Sequence, residues 1–149
     1  MWSKVYKPTD EISSGTGAAS QFSSTGLAQG QEIDSPNGRF RATMQTDGNF
    51  VIYDRGSAIW STQTQGQGRP PYRLAVQPDG NLVIYGSSAT DVSLPGFGVC
   101  TANSACIATW ATGTQGRGSA PYTLKMQDDG NLVLYDSTSR AVWASGTQR

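Results

Sequence analysis

Histidine is absent from this chain of 149 residues. The side chain most often used for proton transfer near neutral pH, and the commonest zinc ligand, is therefore missing, which makes an enzyme a poor candidate. Charge is sparse and balanced, with 11 Lys and Arg against 11 Asp and Glu. Because a net charge of zero exerts no long-range attraction on nucleic acid or on an anionic membrane, we expect neither as a partner.

Long hydrophobic runs are also missing, and each apolar run is too short to cross a bilayer. The first residues, "MWSKVYKPTD", lack the continuous apolar stretch of a secretory signal. We nevertheless expect the protein to act outside cells or at cell surfaces. Residues 13–26 are mostly Ser, Gly, Thr and Ala, which bury little surface. We predict that residues 1–25 form an N-terminal extension, with anchor points at Trp2, Tyr6 and Phe22.

What the chain does contain is an internal repeat. An eleven-residue phrase occurs as "MQTDGNFVIYD" (44–54), "VQPDGNLVIYG" (76–86) and "MQDDGNLVLYD" (126–136). Each copy is followed by a tryptophan phrase: "AIWST" (58–62), "ATWAT" (108–112) or "AVWAS" (141–145). With 18 glycines and many polar residues, three copies of one unit predict an all-β fold of stacked hairpins.

The Asp-Gly pair in each phrase marks the hairpin turn, and the loop could hold two residues or three. A two-residue loop would pair Pro78 with Asn81, although proline has no N–H to donate. A three-residue loop places Pro78 where its fixed φ is favoured and Gly80 at the left-handed position. This register makes Gln77 and Asn81 cross-strand neighbours.

Alternation along the strands then separates two faces of each hairpin. The inward face is apolar and carries Phe40, Ala42, Met44, Phe50 and Ile52; Tyr72, Leu74, Val76, Leu82 and Ile84; and Tyr122, Leu124, Met126, Leu132 and Leu134. The repeated polar residues lie on the other face. Turn chemistry alone would account for the Asp and the Gly, but not for the Gln or for a Tyr that points outward each time.

These outward residues match the Gln-x-Asp-x-Asn-x-Val-x-Tyr signature of the bulb-type, or monocot, mannose-binding lectins. The candidate carbohydrate-binding residues are Gln45, Asp47, Asn49, Val51 and Tyr53; Gln77, Asp79, Asn81, Val83 and Tyr85; and Gln127, Asp129, Asn131, Val133 and Tyr135. Five specified positions repeated three times form a specific motif. The chain resembles a snowdrop-agglutinin-like domain over residues 26–149.

The resemblance implies an all-β β-prism II fold, with three antiparallel sheets around a pseudo-threefold axis that Trp60, Trp110 and Trp143 would fill. It implies a multivalent lectin without cofactor or catalysis. In such proteins the Asp and Asn bind the axial 2-hydroxyl of mannose, the Gln reaches the 3-hydroxyl and the Tyr the 4-hydroxyl, while the Val packs on the C3–C4 face. The family also suggests a homodimer formed by exchange of the C-terminal strand.

Two departures from the family pattern stand out. The disulfide of plant members, between a hairpin turn and the next strand, would fall at Gly48 and "PPYRL", where no cysteine occurs. An insertion at about 86–107 instead holds the two cysteines, Cys100 and Cys106, which could form a disulfide or remain free thiols. Because the insertion follows Tyr85, it is expected either to contact extended glycans at the second site or to occlude that site.

Other functions are less well supported. A lectin-like antibacterial protein of the bacteriocin type, which recognises bacterial surface polysaccharide, is the alternative. A glycosidase needs two carboxyl groups at one bond, whereas each repeat offers one Asp, with Asp128 an extra in the third turn only. No metal site is expected, since one carboxylate per turn lacks the ligand count for calcium and two sulfurs without histidine do not make a zinc site.

Overall fold

The computed structural model describes residues 26–87 and 106–149, together with the backbone of 11–13. All regular structure in these ranges is β-strand. The strands are β1 (Glu11–Ser13), β2 (Gly26–Ala28), β3 (Glu32–Asp34), β4 (Phe40–Met44), β5 (Phe50–Asp54), β6 (Ser57–Ser61), β7 (Arg69–Val76), β8 (Leu82–Ser87), β9 (Cys106–Ala111), β10 (Thr123–Met126), β11 (Leu132–Tyr135) and β12 (Ala141–Ala144). In the described part of the chain, no helix is long and apolar enough to cross a bilayer.

The strands form three four-stranded antiparallel sheets. The first sheet has the order β3-β4-β5-β6, the second β2-β7-β8-β9 and the third β1-β10-β11-β12. Each sheet therefore takes three consecutive strands from one repeat and an outer strand from the N-terminal part of the chain. These outer strands pair with β4, β7 and β10, which would otherwise present unpaired edges.

The N-terminal residues of the chain are thus partly built into the fold. Within the predicted extension, residues 1–25, the strand Glu11–Ser13 pairs with Thr123–Lys125 of β10. Trp2, Tyr6 and Phe22, the predicted anchor points, lie outside the described residues.

The predicted insertion at 86–107 begins and ends within a ladder of paired strands. β8 ends at Ser87 and β9 begins at Cys106, and these two residues are cross-strand partners. The residues between them lie outside the described ranges, and so does the expected contact with, or occlusion of, the second site. Cys106 is disulfide-bonded. Cys100, the only other cysteine in the sequence, also lies outside the described residues.

The hairpin loops have the predicted three residues. In the second repeat the Gly80 N–H donates to the Gln77 carbonyl at 3.0 Å, and the Gln77 N–H donates to the Asn81 carbonyl at 3.0 Å. Gly80 has a φ of 95°, in the region that favours glycine. The first and third loops make the same pair of bonds. Gln and Asn are therefore neighbours on one face, and this prediction is confirmed.

The predicted inward face forms the core. All of its residues are buried, from Tyr72 at 4 % exposure to Leu74 and Met44 at 0 %. Leu27 of β2 and Ile33 of β3 join them in a single cluster. Because no hairpin could bury its apolar face alone, the three units depend on one another for stability.

The three tryptophans meet on the axis between the sheets, as predicted. Trp60, Trp110 and Trp143 contact one another in edge-to-face pairs, with ring centroids 5.7 to 6.0 Å apart. They are partly buried and pack against the core cluster. Each is expected to contribute about 2 to 3 kcal/mol through burial.

The units also interlock through their turns. A Cβ atom added to Gly48 would lie 2.9 Å from the ring of Tyr72 in the second unit, and Gly80 is related in the same way to Tyr122 in the third unit. Gly130 completes the cycle against Phe40 of the first unit. The Gly48–Tyr72 contact occurs where plant relatives are expected to carry their disulfide, so close packing links the first two units at this point.

Candidate functional site

Each signature occupies the outer face of one sheet, beside the hairpin turn. We name the clusters the first site (Gln45, Asp47, Asn49, Val51, Tyr53), the second site (Gln77, Asp79, Asn81, Val83, Tyr85) and the third site (Gln127, Asp129, Asn131, Val133, Tyr135). Gln and Asn face each other across the turn, and Val and Tyr follow on the outgoing strand. The structure therefore brings all five candidate residues of each repeat onto one surface.

The carboxylate of each site is oriented by the turn itself. Asp47 Oδ1 accepts a hydrogen bond from the Asn49 N–H at 2.9 Å, and Asp79 and Asp129 do the same for Asn81 and Asn131. Within the described residues, the second oxygen of each carboxylate makes no hydrogen bond. Each turn thus leaves one negatively charged acceptor on the outer face.

The Gln and the Tyr of each site are joined to each other. Gln77 Nε2 donates to the Tyr85 hydroxyl at 2.6 Å, and the same bond joins Gln45 to Tyr53 and Gln127 to Tyr135. Since the amide nitrogen is the donor, each hydroxyl oxygen accepts and its own proton can be donated elsewhere. Gln77 is buried, with 5 % exposure.

The Asn side chain of each site is held by the segment that follows the tryptophan strand. In the second site, Asn81 Oδ1 accepts from the Gly113 N–H at 2.9 Å, the Thr114 N–H at 3.3 Å and the Thr112 hydroxyl at 3.1 Å. Because these backbone groups can only donate, the amide oxygen must face them and Nδ2 must face outward. The third site repeats this arrangement with Ser145, Gly146 and Thr147.

These hydroxyl residues were not among the candidate residues predicted from the sequence. They do have a signal in it, because a Thr stands four residues after each axial tryptophan, at positions 64, 114 and 147. Without the tertiary contacts, however, these threonines look like ordinary loop residues.

The valine of each site, which is expected to pack on the C3–C4 face of a sugar, is largely buried. Val51, Val83 and Val133 lie on the outer face, yet each is only 3 % exposed. Only a small part of each valine surface is therefore open to solvent.

Taken together, each site presents a carboxylate oxygen that accepts and an amide nitrogen that donates, side by side. A single hydroxyl group can donate to the first and accept from the second, and the Gln and Tyr can bind further hydroxyls. This arrangement suits a polyol such as a sugar. Among the described residues there is no cluster of three or more metal-ligating side chains.

The surroundings of the sites differ. Beside the first site, Arg41 is the cross-strand partner of Tyr53, and its Nε lies 3.1 Å from Glu32 Oε2 and 3.7 Å from Asp34 Oδ1. Burial, with the neighbouring Asp34 as a second cause, raises the pKa of the Glu32 carboxyl. The first site is therefore bordered by a charged cluster.

The corresponding positions in the other two sites carry different side chains. Opposite the valines stand Ala75 in the second site and Lys125 in the third, and opposite the tyrosines stand Arg73 and Thr123. Beyond Tyr135, a cavity of about 690 Å³ extends past Thr123 to Ser137 and Ser139. The third site thus continues into a hydroxyl-lined groove.

The fold recurs in known structures. A monomeric monocot mannose-binding lectin from Gastrodia elata superimposes with a TM-score of 0.70 at 32 % identity, over 95 % of this chain and 100 % of that one. The chain belongs to the bulb-type mannose-binding lectin family. The mannose-specific agglutinin of snowdrop (Galanthus nivalis) bulbs, solved with methyl-α-D-mannoside, is 31 % identical with a TM-score of 0.62, over 94 % and 98 % of the two chains.

A lectin from Marasmius oreades is also similar, at 26 % identity and a TM-score of 0.66, with 93 % of this chain and 92 % of that one covered. No protein-family model and no curated protein matches the sequence. The bulb-type lectin described here has the β-prism II fold of these relatives, with one copy of the polar array on each of its three sheets. Both the predicted family and the predicted fold are confirmed.

Proposed function

We propose that this lectin binds mannose and mannose-containing glycans through its three sites and performs no catalysis. Its membership of a carbohydrate-binding family supports the general function. The specific ligand is supported by relatives described as mannose-binding or mannose-specific and by the chemistry of the outer face.

The observation that carries the proposal is the threefold recurrence of one donor and acceptor array. In each repeat the Asp Oδ1 is occupied by the Asn N–H, while the outer carboxylate oxygen and the Asn Nδ2 form no bond with any described residue. An axial 2-hydroxyl would donate to the carboxylate and accept from the amide. The Gln would reach the 3-hydroxyl and the Tyr the 4-hydroxyl, with the Val beneath the C3–C4 face.

Valency would provide the useful affinity. A shallow site for one monosaccharide is expected to have a dissociation constant on the order of millimolar, or about 4 kcal/mol. Three sites on different sheets can raise the avidity for a clustered glycan by roughly two to four orders of magnitude.

A homodimer formed by exchange of the C-terminal strand would multiply the sites further. In this chain β12 pairs with β11 of the same molecule and brings Trp143 to the axis. Exchange would replace these contacts by the same contacts from a second copy. Light scattering behind a sizing column gives the mass directly, and a monomer at all concentrations would contradict the exchange.

The antibacterial alternative gains no support from the similar structures reported above, all of which are lectins. Action outside cells or at cell surfaces is part of the proposal, since clustered mannose glycans are the ligands that three separate sites would favour.

The proposal can be tested by changing the acceptor without disturbing the turn. In the triple variant D47N/D79N/D129N, the retained oxygen still accepts the Asn N–H, but an amide nitrogen, which only donates, replaces the outward oxygen. We expect loss of retention on mannan and a fall of at least tenfold in affinity for methyl α-mannoside, measured by NMR titration. Unchanged binding would contradict the proposal.

The matched control is D128N in the third turn. Asp128 Oδ1 accepts the Asn37 N–H at 2.8 Å and is not part of the signature. This variant should bind mannan like the wild type.

A second comparison uses methyl α-glucoside, whose equatorial 2-hydroxyl leaves the polar groups badly paired at a cost of about 1 to 3 kcal/mol.

A further inference from the structure

The direction of the Asn amide decides what each site can bind. With Oδ1 turned inward, Asn49 offers a donor next to the outer carboxylate oxygen of Asp47. If the amide were rotated by half a turn, two acceptors would stand side by side, and a single hydroxyl group could not satisfy both. The groups that set the orientation of the Asn amide therefore decide whether the site can bind a hydroxyl group.

In the first site, two threonines control the position of the groups around Asn49. Asn49 Oδ1 accepts from the Thr62 hydroxyl at 3.2 Å and from the Thr64 N–H at 3.3 Å. Thr64 is buried, with 3 % exposure, and its hydroxyl donates to the Gly48 carbonyl at 2.7 Å. Thr64 thus links two parts of the first site. It joins the loop whose groups donate to the Asn49 amide oxygen to the turn that contains Asp47.

The protons of the two hydroxyl groups can be assigned. The Gly48 carbonyl can only accept, so the Thr64 proton points to it. The Thr62 and Thr64 oxygens are 2.8 Å apart, and Thr62 must therefore be the donor of that contact, sharing its proton with Asn49 Oδ1. Removal of the Thr64 oxygen would break its bonds with the Thr62 hydroxyl and with the Gly48 carbonyl.

The same arrangement recurs after the tryptophan strand of each repeat. The segment is the β6–β7 loop in the first site, the β9–β10 loop in the second and the residues after β12 in the third. Thr114 and Thr147 donate to the Gly80 and Gly130 carbonyls at 2.6 and 2.5 Å, and each contacts a second hydroxyl at 2.8 or 2.7 Å. Both hydroxyls are thus retained at the same place in all three repeats, next to the Asn of each site.

We propose that Thr64, Thr114 and Thr147 are positioning residues that hold the Asn of each site as an outward donor. The proposal concerns the amide in the free protein, and it rests on the proposed function only where it concerns sugar binding. The first site should be the most sensitive, because the N–H of Gln63 bonds to the Ser61 hydroxyl, whereas the corresponding Gly113 and Gly146 donate to their Asn.

The experiment compares T64V, which removes the hydroxyl at nearly constant shape, with T64S, which retains it. In a crystal structure of the free T64V protein, we expect the distance from Asn49 Oδ1 to the backbone nitrogen of residue 64 to exceed 3.5 Å or the Asn49 amide to be rotated. In a methyl α-mannoside titration followed by site-resolved NMR, affinity at the first site should fall at least fivefold. The other two sites should change less than twofold, and T64S should match the wild type within twofold at every site.

The control T109V makes the same chemical change on β9, where the Thr109 hydroxyl donates to the Ile84 carbonyl at 3.4 Å outside the sites. It should leave all three affinities unchanged. An unaltered Asn49 amide in T64V, or an equal loss at all three sites, would overturn the proposal.

If T64V does not fold, T147V applies the same test to the third site, where the threonine is only partly buried. If wild-type protein binds no mannoside, the proposed function fails, while the crystal structure still decides the role of Thr64.

Discussion

Gly130 in the third turn lies against the ring of Phe40 in the first sheet, so closely that a Cβ atom on residue 130 would come within 2.8 Å of it. This contact joins the last unit to the first and closes the ring of three sheets. With a φ of 91°, Gly130 also has a backbone conformation that other residues adopt only with strain.

We expect G130A to lower the free energy of unfolding by about 2 to 4 kcal/mol, since backbone strain and overpacking add. The matched control is G56A, because Gly56 has a φ of 90° but nothing within 4 Å of the added Cβ. It should cost only about 1 kcal/mol. Urea unfolding measures both, and equal losses would show that the Phe40 contact does not constrain residue 130.

A second prediction concerns Gln63, which has a φ of 58° where the corresponding residues of the other units are Gly113 and Gly146. Q63G should relieve the backbone strain and raise the free energy of unfolding by up to about 1 kcal/mol, after allowance for the greater freedom of glycine in the unfolded chain. The reciprocal change G113Q should cost about 1 to 2 kcal/mol from strain alone, because a Cβ there has open space. Thermal unfolding of both variants tests whether Q63G stabilises the protein and G113Q destabilises it.

A third prediction concerns acid stability. Arg39 hydrogen-bonds both oxygens of Asp54, at 2.8 and 3.1 Å, and this lowers the pKa of the Asp54 carboxyl below its ordinary value of 3.8. A carboxyl whose pKa is lowered by folding stabilises the protein above the unfolded pKa, and that contribution is lost as the pH falls through the folded pKa. The difference in stability between wild type and D54N should therefore be constant above about pH 5 and shrink below about pH 4.

Urea unfolding at several pH values between 2 and 7 measures this difference. The pKa of Asp136 is also lowered, chiefly by the Thr138 hydroxyl. Asp136 therefore makes the same contribution to the pH dependence of stability in the wild type and in D54N. Subtraction of the two curves isolates Asp54. A difference that stays constant down to pH 2 would contradict the prediction.

A fourth prediction separates binding from folding within one site. Y53F removes the hydroxyl that accepts from Gln45 Nε2 and that would donate to the sugar. We expect affinity for methyl α-mannoside at the first site to fall by about fivefold, or about 1 kcal/mol. The second and third sites serve as internal controls in a site-resolved NMR titration. Equal weakening at all three sites would indicate a structural effect instead.

The sequence by itself determined the hairpin, its register and its two faces. Pro78 has no N–H and Gly80 accepts a positive φ, so loop length follows from local sterics and hydrogen bonding. Alternation then assigns Leu82 and Ile84 to the core and Val83 and Tyr85 to the outside. The motif of the candidate sites could be found because its residues are close in sequence.

Only the tertiary structure decided how the units join and how the sites are completed. Three separate N-terminal strands cover the edges of three different sheets, and the Gly130–Phe40 contact closes the ring. Asn81 is held by Gly113 and Thr114, more than thirty residues away. Local sterics cannot encode such contacts, because they depend on which surfaces meet after the hairpins have stacked around the tryptophans.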